Sequence, residues 1–157
     1  MGSGKGKTRR VRATVSDIDN PVICEDGSRR WFDVDDELHR ENRPAVEWDT
    51  AFIWYRHGQR HREGGPAVEL SEGTRKWYQL DELHRLDGPA VEGLDGHKEW
   101  WVRGRRHRDD GPAVEREDRA KEWWLDGERS DQATVEEQLF EARLSKIKLD
   151  TPEKVVF

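Results

Sequence analysis

The chain has 157 residues, of which 39% are charged and 32% apolar, and it carries a formal net charge of −6. That length sets one domain as the expectation, and so polar a composition excludes a large central hydrophobic core. A single cysteine, Cys24, excludes an intrachain disulfide framework and suits a reducing cytoplasm, and there is neither a membrane-length apolar run nor a signal-peptide core after Met1.

Residues 1–15 read as a disordered basic arm. The first twelve hold Lys5, Lys7, Arg9, Arg10 and Arg12 and no acid, so the rest of the chain is near −11. Such a body repels phosphates and attracts basic protein surfaces. The arm could touch nucleic acid without sequence preference. Gly6-Lys7-Thr8 matches the end of a P-loop, but the glycine required to open that motif falls on Met1 and no strand precedes it.

Residues 16–130 read as a repeat array. Aromatic pairs recur every 23 residues: Trp31-Phe32, Trp54-Tyr55, Trp77-Tyr78, Trp100-Trp101 and Trp123-Trp124. His39-Arg40, His61-Arg62, His84-Arg85 and His107-Arg108 follow, each histidine five residues before a proline that opens Pro-Ala-Val-Glu. A fixed period of this length marks stacked supersecondary units, whose atypical end units cap the stack. The first unit has one extra residue between Trp31 and His39 and one fewer before Trp54, so the tryptophan period survives.

Pro-Ala-Val-Glu suits the start of a strand. Turns are expected at Glu25-Asp26-Gly27, Glu72-Gly73 and Asp95-Gly96, and again at Gly58, Asp81, Gly104 and Gly127. The expectation is an all-β meander of short antiparallel strands, two or three per unit. Successive strand residues face opposite sides, which assigns the first aromatic of each pair to the core and the second to a partly exposed face.

Residues 131–148 read as a capping helix followed by a tail, 149–157. Thr134-Val135-Glu136-Glu137 has a capping-box pattern, and Val135, Leu139, Ala142 and Ile147 fall on one helical face, with Leu144 near its edge. The expected role is a lid over the last sheet edge.

Three sets of residues are candidate sites. The aligned histidines offer one imidazole per unit with no second ligand at metal spacing, so turn-stabilising hydrogen bonds are expected, with no metal and no cofactor. Arg40, Arg62, Arg85 and Arg108 each precede a glutamate by seven residues. That spacing across the Asp-Gly-Pro turn predicts a salt-bridge ladder, with an anionic-ligand row as the alternative. Tyr55, Tyr78, Trp101 and Trp124 form the expected partner-binding stripe. No nucleophile–base–acid set recurs, which argues against an enzyme.

The unit W-[FWY]-x-x-G-x-x-H-R-x-D-G-P-A, over about residues 16–131, resembles MORN-type repeats. It is more similar to the His-Arg-x-Asp-Gly-Pro-Ala repeat proteins of phages and large viruses. MORN repeats usually place glycine directly after the histidine, where this chain has arginine, so a membrane role does not carry over. The resemblance implies β-hairpin repeats and a phage-encoded interaction protein without catalytic residues. Its expected partner is a host protein, met in the cytoplasm of the infected cell, and counter-defence inhibition is one concrete form. The alternative is a nucleic-acid or phosphate-ligand binder using the basic arm and the arginine row.

Overall fold

A computed structural model describes residues 20–150, with side chains to residue 146. The basic arm, the Gly6-Lys7-Thr8 motif, the leading slot at 16–19 and the residues from 151 onward lie outside the described residues.

Each full unit supplies four short strands in two hairpins, where two or three strands were expected. In the unit that opens at Pro66, Val68–Leu70 pairs with Arg75–Lys76. The chain then passes Trp77, and Tyr78–Gln79 pairs with Glu82–Leu83. The first hairpins of all units join into one eleven-stranded antiparallel sheet whose strand order follows the chain, with the second hairpins as excursions from it. In the last unit, Lys121–Leu125 runs straight through both tryptophans before pairing with Glu128–Ser130.

The first tryptophan of each pair is the pivot between the two hairpins. The Trp77 N–H donates to the Ala90 carbonyl at 2.8 Å, and its own carbonyl accepts from His84 N at 3.1 Å. Trp31, Trp54 and Trp100 repeat this with Ala45 and His39, Ala67 and His61, and Ala113 and His107. The tryptophan spacing is therefore constant because these backbones are tied to both neighbouring segments. The second hairpins are bonded to one another too, through Gly58 N to Leu38 O (2.9 Å), Asp81 N to Arg60 O (3.0 Å), Gly104 N to Leu83 O (3.0 Å) and Gly127 N to Arg106 O (2.9 Å).

The turns at the tips of the second hairpins follow one pattern. His57-Gly58, Leu80-Asp81, Arg103-Gly104 and Asp126-Gly127 all have positive φ at both residues, between 46° and 87°. Two such residues define the type I′ turn, whose twist matches that of paired strands. The turns expected at Gly27, Gly73 and Gly96 likewise carry positive φ, at 81°, 106° and 83°.

The core is thin and repeated. Ala45, Ala67, Ala90 and Ala113 are fully buried, and Val46, Val68, Val91 and Val114 are at most 9% exposed. The alanine carbonyl receives the pivot tryptophan's N–H, so this is where the two hairpins of a unit meet and a side chain larger than a methyl meets crowded packing. Trp31 and Trp54 are buried, whereas Trp77, Trp100 and Trp123 are half-buried. The second-position aromatics, Phe32, Tyr55, Tyr78, Trp101 and Trp124, are half-buried as well. Core and exposed face are thus less sharply divided than strand alternation alone implies.

The C-terminal helix runs Gln132–Asp150, beginning within a residue of the expected 131–148 segment and absorbing the first residues of the expected tail. Asp131, not Thr134, is the N-cap: its Oδ1 accepts the Thr134 N–H at 2.9 Å. Both residue types cap helices, and the good helix formers Gln132 and Ala133 let the earlier one win. The helix packs against the strand Lys121–Leu125. Val135 is buried and Leu139 and Leu144 are half-buried, but Ala142 is exposed and Phe140 is 60% exposed. The apolar face is therefore Val135, Leu139 and Leu144, and it anchors the helix mainly through its first turn; the Ile147 side chain lies outside the described residues.

Candidate functional site

The arginine after each histidine makes the same set of contacts in four units. Arg40, Arg62, Arg85 and Arg108 place their guanidinium carbons 3.7, 3.8, 4.0 and 3.9 Å from the ring centres of Trp31, Trp54, Trp77 and Trp100. Each Nη1 also donates to the carbonyl of the proline four residues on, at 3.1–3.2 Å. The same nitrogen pairs with Glu47, Glu69, Glu92 or Glu115 at 2.9, 2.6, 2.8 and 3.2 Å. The expected salt-bridge ladder is present, with a cation–π contact and a backbone bond added to every rung. In the last unit Asp131 stands in the arginine slot and caps the helix instead.

The histidines link successive units. His39, His84 and His107 each use Nδ1 to accept a backbone N–H from the next unit's I′ turn, at His57 (3.2 Å), Arg103 (3.1 Å) and Asp126 (3.1 Å). These are the expected turn-stabilising bonds, and they fix the tautomer with the proton on Nε2. His61 departs from the series: its ring nitrogens are buried with no hydrogen-bond partner among the described residues.

The second-position aromatics form a row interleaved with a different set of arginines. The Arg60 guanidinium carbon lies 4.0 Å from the Tyr78 ring centre, and that of Arg106 lies 5.0 Å from Trp101 and 5.4 Å from Trp124. Carboxylates hold these groups in place. Arg60 pairs with Asp81 at 2.6 Å. Glu99 accepts from Trp101 Nε1 at 2.8 Å and from Arg106 Nη2 at 3.3 Å, with His97 at 2.7 Å from its other oxygen. Glu122 accepts from Trp124 Nε1 at 3.1 Å. Burial pushes the Glu99 carboxyl up, but the bonds from His97 and Trp101 and the charge of Arg106 outweigh it and hold it below the usual range. Burial raises the Tyr55 phenol, against the nearby Arg60. Tyr55, Tyr78, Trp101 and Trp124 are thus all half-buried, and Tyr78, Trp101 and Trp124 are braced by the chain's own charges.

One grouping escaped sequence reasoning. Asp33, His39 and His57 converge, each offering a ligand atom within 4.8 Å of the other two. His57 belongs to none of the aligned histidines and stands in a turn position held elsewhere by Leu80, Arg103 or Asp126. The signal available was that this unit carries the extra residue between Trp31 and His39.

No known protein family, curated protein or solved structure matches the chain. Among the described residues no helix is long and apolar enough to cross a membrane. By its architecture the chain is a β-hairpin repeat array closed by a C-terminal helix.

Proposed function

We propose that this chain is a non-enzymatic interaction protein whose aromatic row, Tyr55, Tyr78, Trp101 and Trp124 with Arg60 and Arg106 between its members, docks a partner protein. The observation that carries this reading is the row itself: partly exposed Tyr and Trp rings, with arginine over three of the four. Tyr, Trp and Arg are the residue types that dominate binding hot spots, and a pre-braced row loses little side-chain freedom on docking. The acidic excess outside the arm steers a basic partner and makes association salt-sensitive. Following the resemblance to phage repeat proteins, the partner is a host protein met in the cytoplasm, and inhibition of a host defence component is the concrete form.

The test is capture from host lysate by full-length protein and by Tyr78→Ala and Trp101→Ala, with thermal melts alongside. The reading expects both variants to stay folded and to lose the captured protein. Folded variants that capture it as wild type does would refute the row.

The second reading, a nucleic-acid or phosphate binder, is supported by the five basic residues within the first twelve. Against its other half, each repeated arginine is already shared among a glutamate, a proline carbonyl and a tryptophan face. Deleting residues 1–12, with nuclease and salt controls, separates the two: binding through the aromatic row tolerates the deletion and binding through the arm does not.

A further inference from the structure

We propose that Asp33, His39 and His57 bind a divalent transition-metal ion of the zinc type, which clamps the first repeat to the second. The proposal is independent of the aromatic row and of the partner.

The three residues come from two units. Asp33 follows Trp31-Phe32, His39 closes the same unit, and His57 opens the I′ turn of the next. Asp33 is 7% exposed, one of two buried polar residues among those described. A carboxylate so buried needs strong partners. Its Oδ1 accepts the backbone N–H groups of Asp35 and Glu37, both at 3.0 Å, which fixes its orientation. Its Oδ2 lies 2.8 Å from His57 Nδ1. A metal would take the place of the proton shared in that contact. The His39 ring lies alongside, its centre 4.3 Å from that of His57. His39 Nδ1 now accepts the His57 backbone N–H at 3.2 Å, so the neutral ring's one lone pair is on Nδ1, and a metal bound there would replace that hydrogen bond.

Two imidazoles and a carboxylate suit Zn²⁺, Co²⁺, Ni²⁺ or Cu²⁺, whereas Mg²⁺ and Ca²⁺ take oxygen ligands. Tetrahedral zinc holds its ligand atoms about 3.3 Å apart. Atoms now within 4.8 Å must therefore draw together. The mobile partner is available: the His57 side chain is 62% exposed, against 10% for Asp33. Three protein ligands leave one coordination position for water. His39 and His57 also line a cleft of about 460 Å³ together with Tyr55 and Arg62, onto which that position would open.

The test uses chelator-treated full-length protein, titrated calorimetrically with Zn²⁺ and followed by visible absorption with Co²⁺. Wild type should bind one ion, raise its melting temperature on binding, and give a cobalt spectrum without the thiolate charge-transfer band that Cys24 would add. Asp33→Asn keeps the acceptor for Asp35 and Glu37, and His57→Asn tolerates the positive φ of that turn. Each should weaken binding at least about tenfold, the lower end of what even an outer-shell partner contributes. His84→Asn, at the slot of His39 two units on, should bind as wild type does. Absence of zinc binding by wild type, a thiolate band with cobalt, or a folded His57→Asn protein that binds as tightly as wild type would overturn the site.

Discussion

The guanidinium carbon of Arg85 sits 4.0 Å from the centre of the Trp77 ring while its Nη1 bonds both Pro89 O and Glu92. One side chain thereby covers a half-buried tryptophan, closes the Asp-Gly-Pro turn and neutralises a glutamate on the adjacent strand. Lysine can supply the charge but neither the planar stacking nor the fork of donors. Arg85→Lys should therefore cost about 1 kcal/mol, the sum of a partly desolvated cation–π contact and a weakened hydrogen bond. A urea midpoint equal to that of wild type would mean the stacking contributes nothing.

The ion pair within that cluster is separable. Arg85 and Glu92 are 21% and 34% exposed, so solvent screens part of their attraction. A double-mutant cycle with Arg85→Ala and Glu92→Ala should give a coupling of about 0.5–1 kcal/mol. Coupling indistinguishable from zero would assign the arginine's whole effect to Trp77 and Pro89.

The pivot tryptophans should not be equal. Trp54 is 9% exposed, whereas Trp77 is only half-buried. Trp54→Ala should cost about 3–5 kcal/mol, the usual range for a core aromatic, and Trp77→Ala roughly half of that because less surface leaves water. Both also leave a stacked arginine without its platform. Equal losses in urea unfolding would show that exposure in the intact fold is a poor guide to a pivot's contribution.

Much of this arrangement was legible because each repeated residue meets one physical requirement. Glycine or a short polar residue at the hairpin tips reflects positive φ, and the seven-residue Arg–Glu spacing reflects a turn that brings its flanks together. The two-hairpin unit was not legible: strands of two or three residues are too short to show a period, and nothing in Lys98-Glu99-Trp100-Trp101-Val102 marks the tryptophan as the place where one sheet ends and the next hairpin begins. The arginine cover over Tyr78 and Trp101 was not legible for a related reason. That cover comes from Arg60 and Arg106, which belong to none of the repeated His-Arg pairs. The pairing of Asp33 with His57 spans 24 residues and depends on the one irregular turn in the array.

Stability should fall steeply in acid. Glu99, Asp33, Glu122 and Asp131 all have carboxyls held below their usual range, Glu99 and Asp33 against burial, Glu122 by its bond from Arg116 and Asp131 by the Thr134 N–H. A folded-state value below the unfolded one gives stability that is present above the unfolded pKa, about 4 for carboxyls, and lost as pH falls through the folded value. Glu99→Gln removes one such group. Its stability deficit relative to wild type should be largest near pH 6 and close as the pH drops below about 4. A deficit independent of pH, read from urea midpoints across that window, would show that Glu99 acts through packing and not through its charge.

The turn at Leu80-Asp81 combines strain and contact in adjacent residues. Leu80 has φ 50° and is 54% exposed, so it bears the cost of a left-handed backbone with little burial in return. Asn adopts that conformation more readily, and Leu80→Asn should raise stability by up to about 1 kcal/mol. Asp81, at φ 66°, stands where the other three I′ turns have glycine. Its Oδ1 accepts from Arg60 N at 3.1 Å and Arg60 Nε at 2.6 Å, tying the second unit to the third. Asp81→Gly relieves the backbone but removes both bonds, and the net effect should be a loss of about 0.5–1 kcal/mol because the pair is partly exposed. Opposite signs for the two substitutions, measured as urea midpoints, are the expected result. A stabilised Asp81→Gly would mean that strain at this turn outweighs its hydrogen bonds to Arg60, and that the inter-unit bond from Asp81 N to Arg60 O suffices to hold the hairpins in register.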